Sequence, residues 1–315
     1  MYGDDEMGAL DVIRRQLGEP YYETDEVLVY CDNSLELMSK IRDRAVNLIV
    51  TSPPYNIGKE YEAVKPVDEY IRWTEEWIKK AYEITQPNGA LLLNLGYLKH
   101  PTKGNAIPIP YLMWDKTDFF LMQEIIWNYG AGVSCKKQLS PRNEKILWYV
   151  KDETNYTFNL DEIRDPDVKY PNQKKNGKLR CNPLGKNPSD VWQIPKVTSG
   201  TGRASKERTS HPAQFPIELV ERIILGFSNP GDIILDPFLG SGTVAEVAIK
   251  HGRYVIGIEL NDKYCDIASN RLKYLYGQKH TEPSIYSSPP TGVDETAVHF
   301  EPSVQSNRCG PTTRT

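Results

Sequence analysis

The stretch DIILDPFLGSGT, residues 232–243, runs from an apolar strand into a Gly-rich turn and on to the start of a helix. In an open α/β sheet, the crevice beyond such a strand end is where ligands bind. Gly240 and Gly242 allow a ligand to approach the backbone closely, Thr243 can cap the helix that follows, and the N-terminal amides of that helix favour a carboxylate. A phosphate-binding P-loop would need a Gly-Lys-Ser/Thr ending, but Val244 follows Thr243 and no lysine adjoins the glycines. The next strand ends in Gly257-Ile258-Glu259, so an acid stands at the neighbouring strand tip, where it can accept hydrogen bonds from both hydroxyls of a ribose. Together the turn and the acid point to a nucleoside amino acid as ligand. The alternative is a plain strand–turn–helix connection.

Outward from this stretch, the apolar pattern predicts a helix over 217–227, another over 244–250, a strand over 254–258 and a helix over 264–276. Upstream it predicts strands over 27–30, 46–50 and 90–95, helices over 35–41 and 67–85, and a turn at Pro87-Asn88-Gly89. That alternation predicts a mostly parallel sheet with helices on both faces. Residues 1–24 read as a polar arm, 25–276 as the folded body, and 277–315, rich in Ser, Pro, Thr and Gly, as a disordered tail. Residues 151–210 lack the rhythm and read as an inserted recognition region. Over 131–210 there are sixteen Lys and Arg against nine Asp and Glu, whereas the whole chain carries −4, so a basic surface is expected in an acidic protein. Tyr156, Tyr170 and Trp192 are interleaved with it.

Composition narrows the class. With 39% hydrophobic residues the 315-residue chain can bury a sizeable core. Its five cysteines are odd in number, scattered and never paired as CxxC, so neither a disulfide framework nor a metal site is expected. The acidic start lacks a signal-peptide core and no apolar run reaches membrane-spanning length. A cytoplasmic protein without membrane contact is therefore expected.

The second chemical motif is Thr51-Ser52-Pro53-Pro54-Tyr55-Asn56. A bare Pro-Pro-Tyr is more often a rigid turn or a ligand for a proline-recognising domain. Here it ends an apolar strand, where an exposed recognition motif would not sit. The Ser52 hydroxyl and the Pro53 carbonyl are acceptors, held in place by two prolines. Around an aromatic amino group such acceptors favour tetrahedral nitrogen and stabilise the positive charge that develops as its lone pair attacks a methyl donor. Tyr55 offers a stacking face. Flipping a base out of a duplex costs a few kcal/mol and aromatic stacking returns roughly 1–3 kcal/mol, so the exchange is feasible.

These motifs and their order resemble the β group of amino-methyltransferases from restriction–modification systems, in which the catalytic motif precedes the cofactor motif. The resemblance extends over most of residues 26–276. It includes Cys31-Asp32-Asn33-Ser34, Thr51–Asn56, the strand over 91–96, the run from His211 to Pro216, Asp236–Thr243 and Gly257-Ile258-Glu259. It implies a Rossmann-like S-adenosylmethionine-dependent methyltransferase fold with an inserted target-recognition region. Ser52, Pro53, Pro54 and Tyr55 would be catalytic. Asp32 would contact the cofactor adenine and Glu259 its ribose, while Asp236, Phe238, Gly240, Ser241, Gly242 and Thr243 would form the methionine-side pocket. His211 would lie beside that pocket, either touching the cofactor or merely preceding a helix. In the resembled family, Ser before Pro-Pro goes mostly with N4-cytosine methylation, and Asp or Asn mostly with N6-adenine. Carbon-5 methylation needs a cysteine nucleophile, in its own family directly after a proline, and this chain has no Pro-Cys pair. Double-stranded DNA and a companion restriction endonuclease are the implied partners, for a monomer or weak dimer. A non-catalytic DNA-binding module, or an amino-methyltransferase acting on RNA or protein, is the alternative.

Overall fold

The computed structural model describes residues 8–60, 62–130, 134–198 and 204–279. The N-terminal half contains α1 (Ala9–Leu17), β1 (Tyr22–Thr24), β2 (Val27–Cys31), α2 (Ser34–Met38), β3 (Val46–Thr51), α3 (Val67–Ile84) and β4 (Thr85–Leu95). A small hairpin of β5 (Tyr97–His100) and β6 (Gly104–Pro108) follows, then α4 (Pro110–Met113), β7 (Phe120–Asn128) and β8 (Asn143–Val150). Next come the short strands β9 (Lys174–Lys175), β10 (Lys178–Leu179) and β11 (Val191–Gln193). The chain then forms α5 (Ile217–Phe227), β12 (Ile233–Asp236), α6 (Thr243–Lys250), β13 (Tyr254–Glu259) and α7 (Asp262–Lys279).

Nine strands form one sheet in the order β1-β2-β13-β12-β3-β4-β8-β7-β11. Its centre, β2, β13, β12, β3 and β4, is wholly parallel. β8 runs antiparallel to both β4 and β7, and β11 adds a parallel edge strand beside β7. Alternate strand residues separate into two apolar layers. Ile49, Leu91, Leu93, Leu235 and Ile256 face the helices α1 to α4, whereas Leu48, Val50, Leu92, Ile234 and Val255 face α5, α6 and α7. Central strands buried on both faces read as continuous apolar runs, as expected for a parallel sheet between helices. The expected α/β fold is thus present.

Three expectations differ from the structure. Residues 1–24 are not a polar arm throughout: α1 buries Leu10, Ile13 and Leu17 in the first layer, and β1 pairs with β2. The i, i+3, i+7 spacing of those residues carries the signal for a packed helix face. Pro87-Asn88-Gly89 does not separate helix from strand, because β4 already pairs at Thr85↔Val46 and resumes at Ala90↔Leu48. The extra residues bulge opposite Asn47, and a Cβ on Gly89 would come within 2.9 Å of the Asn47 carbonyl. Part of the 151–210 insertion belongs to the core: Trp192 and Ile194 are buried, Ile163 packs against Gly226, and Tyr156 sits edge-on to Trp148 at 5.6 Å. Of the three interleaved aromatic residues only Tyr170 is exposed, within a run (169–180) exposed throughout. The tail expectation falls mostly outside the described residues, although α7 extends to Lys279.

Candidate active site

Because the five central strands run parallel, their last residues share one edge of the sheet, and Thr51, Asp236 and Glu259 stand there side by side. The buried Thr51 hydroxyl donates to Asp236 Oδ1 at 2.8 Å, and the Phe238 amide donates to the same oxygen at 3.1 Å. Burial outweighs these bonds and pushes the Asp236 carboxyl up to about 7. Glu259 accepts from the Gly240 amide at 2.8 Å and the Asn261 amide at 2.9 Å, and burial raises it as well.

The glycines of the turn have different tasks. Gly240, at φ 54°, lies so close to the His211 ring that a Cβ would sit 3.0 Å from it. Gly242, at φ 75°, caps α6 and packs against Ala268 of α7, where a Cβ would be 3.0 Å from the Ala268 methyl. Thr243 is not the helix cap. It is the first helical residue, and its hydroxyl bonds the Phe215 carbonyl at 3.3 Å and Arg271 at 3.0 Å. His211 is buried, which lowers it to about 4 and keeps it neutral near pH 7, and its ring meets Tyr264 edge-on at 4.4 Å.

A cavity of about 1240 Å³ joins these strand ends to the Thr51–Asn56 loop. Asp236, Phe238, Gly240, Ser241, Thr243 and Glu259 line it, as do Ser52, Pro53, Pro54 and Tyr55. Gly242 is not among its walls, and neither is Asp32. The Asp32 side chain is exposed and accepts from the Asn33 amide at 2.7 Å, whereas Asn33, Ser34 and Leu35 do reach the cavity.

The loop itself is held from several sides. Tyr70 of α3 donates to the Pro54 carbonyl at 2.9 Å. Asn56 adopts φ 60° and exchanges side-chain hydrogen bonds with the Lys65 backbone at 2.8 and 2.6 Å. The Glu62 carboxylate receives the amides of Asn56 and Ile57. The Tyr55 ring lies on Gly96, where a Cβ would come within 2.7 Å of it. Its hydroxyl is 2.8 Å from Ser52 Oγ, donates to Glu144 Oε2 at 2.9 Å and accepts from Asn94 Nδ2 at 2.6 Å. Burial and the Glu144 carboxylate push Tyr55 far above the ordinary phenol range, so it keeps its proton.

Sequence reasoning named Asn94 and Gly96 only as part of the strand over 91–96, with no role of their own, and missed Glu144. A lone Asn in the apolar run Leu91–Leu95 was a usable signal, while Glu144 lies 89 positions from Tyr55 and had none.

The walls suit a nucleoside amino acid. Glu259 and Asp236 bring carboxylates, Ser241 a hydroxyl, and Leu35, Phe238 and Leu260 supply apolar surface. Residues 46–270 match the family model of N6/N4 DNA methylases. The chain belongs to this DNA methylase family. The methylase is 58% identical over 261 residues to the type II methyltransferase M.ScaI of Streptomyces caespitosus, covering 83% of this chain and 86% of that one. It is 37% identical over 249 residues to the DNA adenine methyltransferase YhdJ of Escherichia coli K12, covering 76% and 80%. Among solved structures it shares its fold with the PvuII DNA methyltransferase (cytosine-N4-specific) at a TM-score of 0.62 and 20% identity, covering 82% and 94%. The M1.HpyAVI complex with S-adenosylmethionine aligns at a TM-score of 0.54 and 24% identity, covering 78% and 98%. As a member of this family the chain is a DNA methyltransferase. No group of metal-ligating residues occurs among its described residues.

Proposed function

We propose that this methylase modifies the exocyclic N4 of cytosine in duplex DNA, at a site it protects from a companion endonuclease. The observation that carries the reading is the Ser52 hydroxyl in the wall of the cavity that also holds Asp236, Ser241 and Glu259, 2.8 Å from the fixed Tyr55 hydroxyl. S-Adenosylmethionine, when bound, supplies an electrophilic methyl group on a sulfonium. Ser52 accepts a hydrogen bond from the target amino group, which localises the nitrogen lone pair and offsets the charge that grows during attack. Pro53 and Pro54 hold that acceptor in advance, so little ordering is needed at the moment of reaction. Tyr55, wedged on Gly96, gives the flipped base a stacking surface. Glu259 would hold the ribose hydroxyls, and Asp236 with Ser241 the methionine end; Asn33 and Leu35, which line the cavity, would bound the adenine in place of the exposed Asp32 side chain.

Ser before Pro-Pro supports cytosine. Adenine N6 is the second reading, favoured by the 37% identity to a relative named as an adenine methyltransferase. The test is Ser52→Ala with labelled cofactor and duplex DNA. Turnover is expected to fall on the order of 10²-fold, the usual cost of one such hydrogen-bond partner, while cofactor affinity holds. Equal loss of turnover and affinity would contradict the assignment, as would label entering RNA or protein in preference to DNA.

A further inference from the structure

We infer that Glu144 of β8 is a positioning residue that fixes the direction of the hydrogen bonds running through Tyr55 to Ser52, so that Ser52 faces the target amino group as an acceptor. This rests on the proposed role of Ser52. A carboxylate accepts only, so Glu144 takes the proton of Tyr55 at 2.9 Å. Asn94 Nδ2 donates to Glu144 at 2.7 Å and to the Tyr55 oxygen at 2.6 Å. The reversed amide would press its oxygen against the carboxylate, so the orientation of Asn94 is fixed by the same charge. With the phenol proton committed to Glu144, Ser52 must be the donor in its 2.8 Å contact with Tyr55. The Ser52 proton is thereby spent inside the network, and lone pairs are all the hydroxyl offers to a substrate. An unconstrained serine would also present its proton, which repels an amino hydrogen.

The neighbourhood fits this task. Glu144 forms no ion pair among the described residues, and the adjacent Lys145 turns away to Tyr97 at 2.8 Å and Asn143 at 3.0 Å. A half-buried carboxylate bonded by two neutral donors anchors the proton direction of everything attached to it.

Glu144→Gln tests the inference, because the amide also donates and lets the chain run in reverse. Methyl transfer from labelled cofactor to duplex DNA is expected to lose at least about tenfold in kcat, with KM for DNA and the cofactor Kd within about twofold. Glu144→Asp, still an acceptor only, should retain more kcat than Glu144→Gln. In a Tyr55→Phe background the Glu144→Gln change should cost nothing more, since its effect passes through the phenol. An unchanged kcat in Glu144→Gln, or the same fold-loss with and without Tyr55, overturns the inference. A wild-type enzyme that fails to methylate duplex DNA would instead overturn the proposed function, so the two failures are separable. Melting temperature and cofactor binding report on folding. If Glu144→Gln fails to fold, the same double-mutant comparison with Glu144→Ala, which removes the acceptor of the Tyr55 proton, decides.

Discussion

Gly96 makes no turn and needs no positive φ; it is small because the Tyr55 ring lies where its Cβ would be. Gly96→Ala should therefore displace Tyr55 and lower methyl transfer at least about tenfold while leaving cofactor affinity intact, which turnover and calorimetry together would show. Asp236 poses a different question at this scale. Burial pushes its carboxyl up to about 7, and under the proposed assignment the methionine end of S-adenosylmethionine brings a cationic amino group that favours the carboxylate form. Below about pH 7 the group takes up a proton that binding must expel, so cofactor affinity should weaken as pH falls, by at most about tenfold per unit. Asp236→Asn should bind weakly and lose that slope in calorimetric titrations across pH 5.5 to 8. Ser52 and Tyr55 were readable in sequence because their motif is contiguous and ends an apolar strand. Asn94, Gly96 and Glu144 meet Tyr55 only through the pairing of β4 with β3 and β8, a relation set by sheet register rather than by local pattern.

At the scale of elements, the first helix shows how a charged segment can conceal a packed face. Arg14, Arg15 and Asp11 gave residues 1–24 their polar look, yet Ile13 is 1% exposed against the sheet. Ile13→Ala should cost about 2–4 kcal/mol in urea denaturation, whereas an unpacked arm would tolerate the change. The strands and helices bearing the cofactor motif were readable because each buries a continuous or 3.6-periodic apolar set. The Pro87-Asn88-Gly89 signal was read as a turn because bulge and turn demand the same residues, and only the pairing partner distinguishes them.

At the scale of the whole molecule, the parallel centre of one sheet brings residues from sequence positions 51, 236 and 259 to a single edge, where the proposed cofactor pocket and catalytic loop meet. The basic insertion is divided in the same way. Ile163, Trp192 and Ile194 are core, so exchanging the whole of 151–210 should lower the melting temperature sharply, while exchanging only 169–180 should leave it unchanged in a thermal scan. The most direct measurement is mass spectrometry of nucleosides from duplex DNA treated with the purified methylase and S-adenosylmethionine. The Ser52 reading predicts N4-methylcytosine; N6-methyladenine in its place would contradict it.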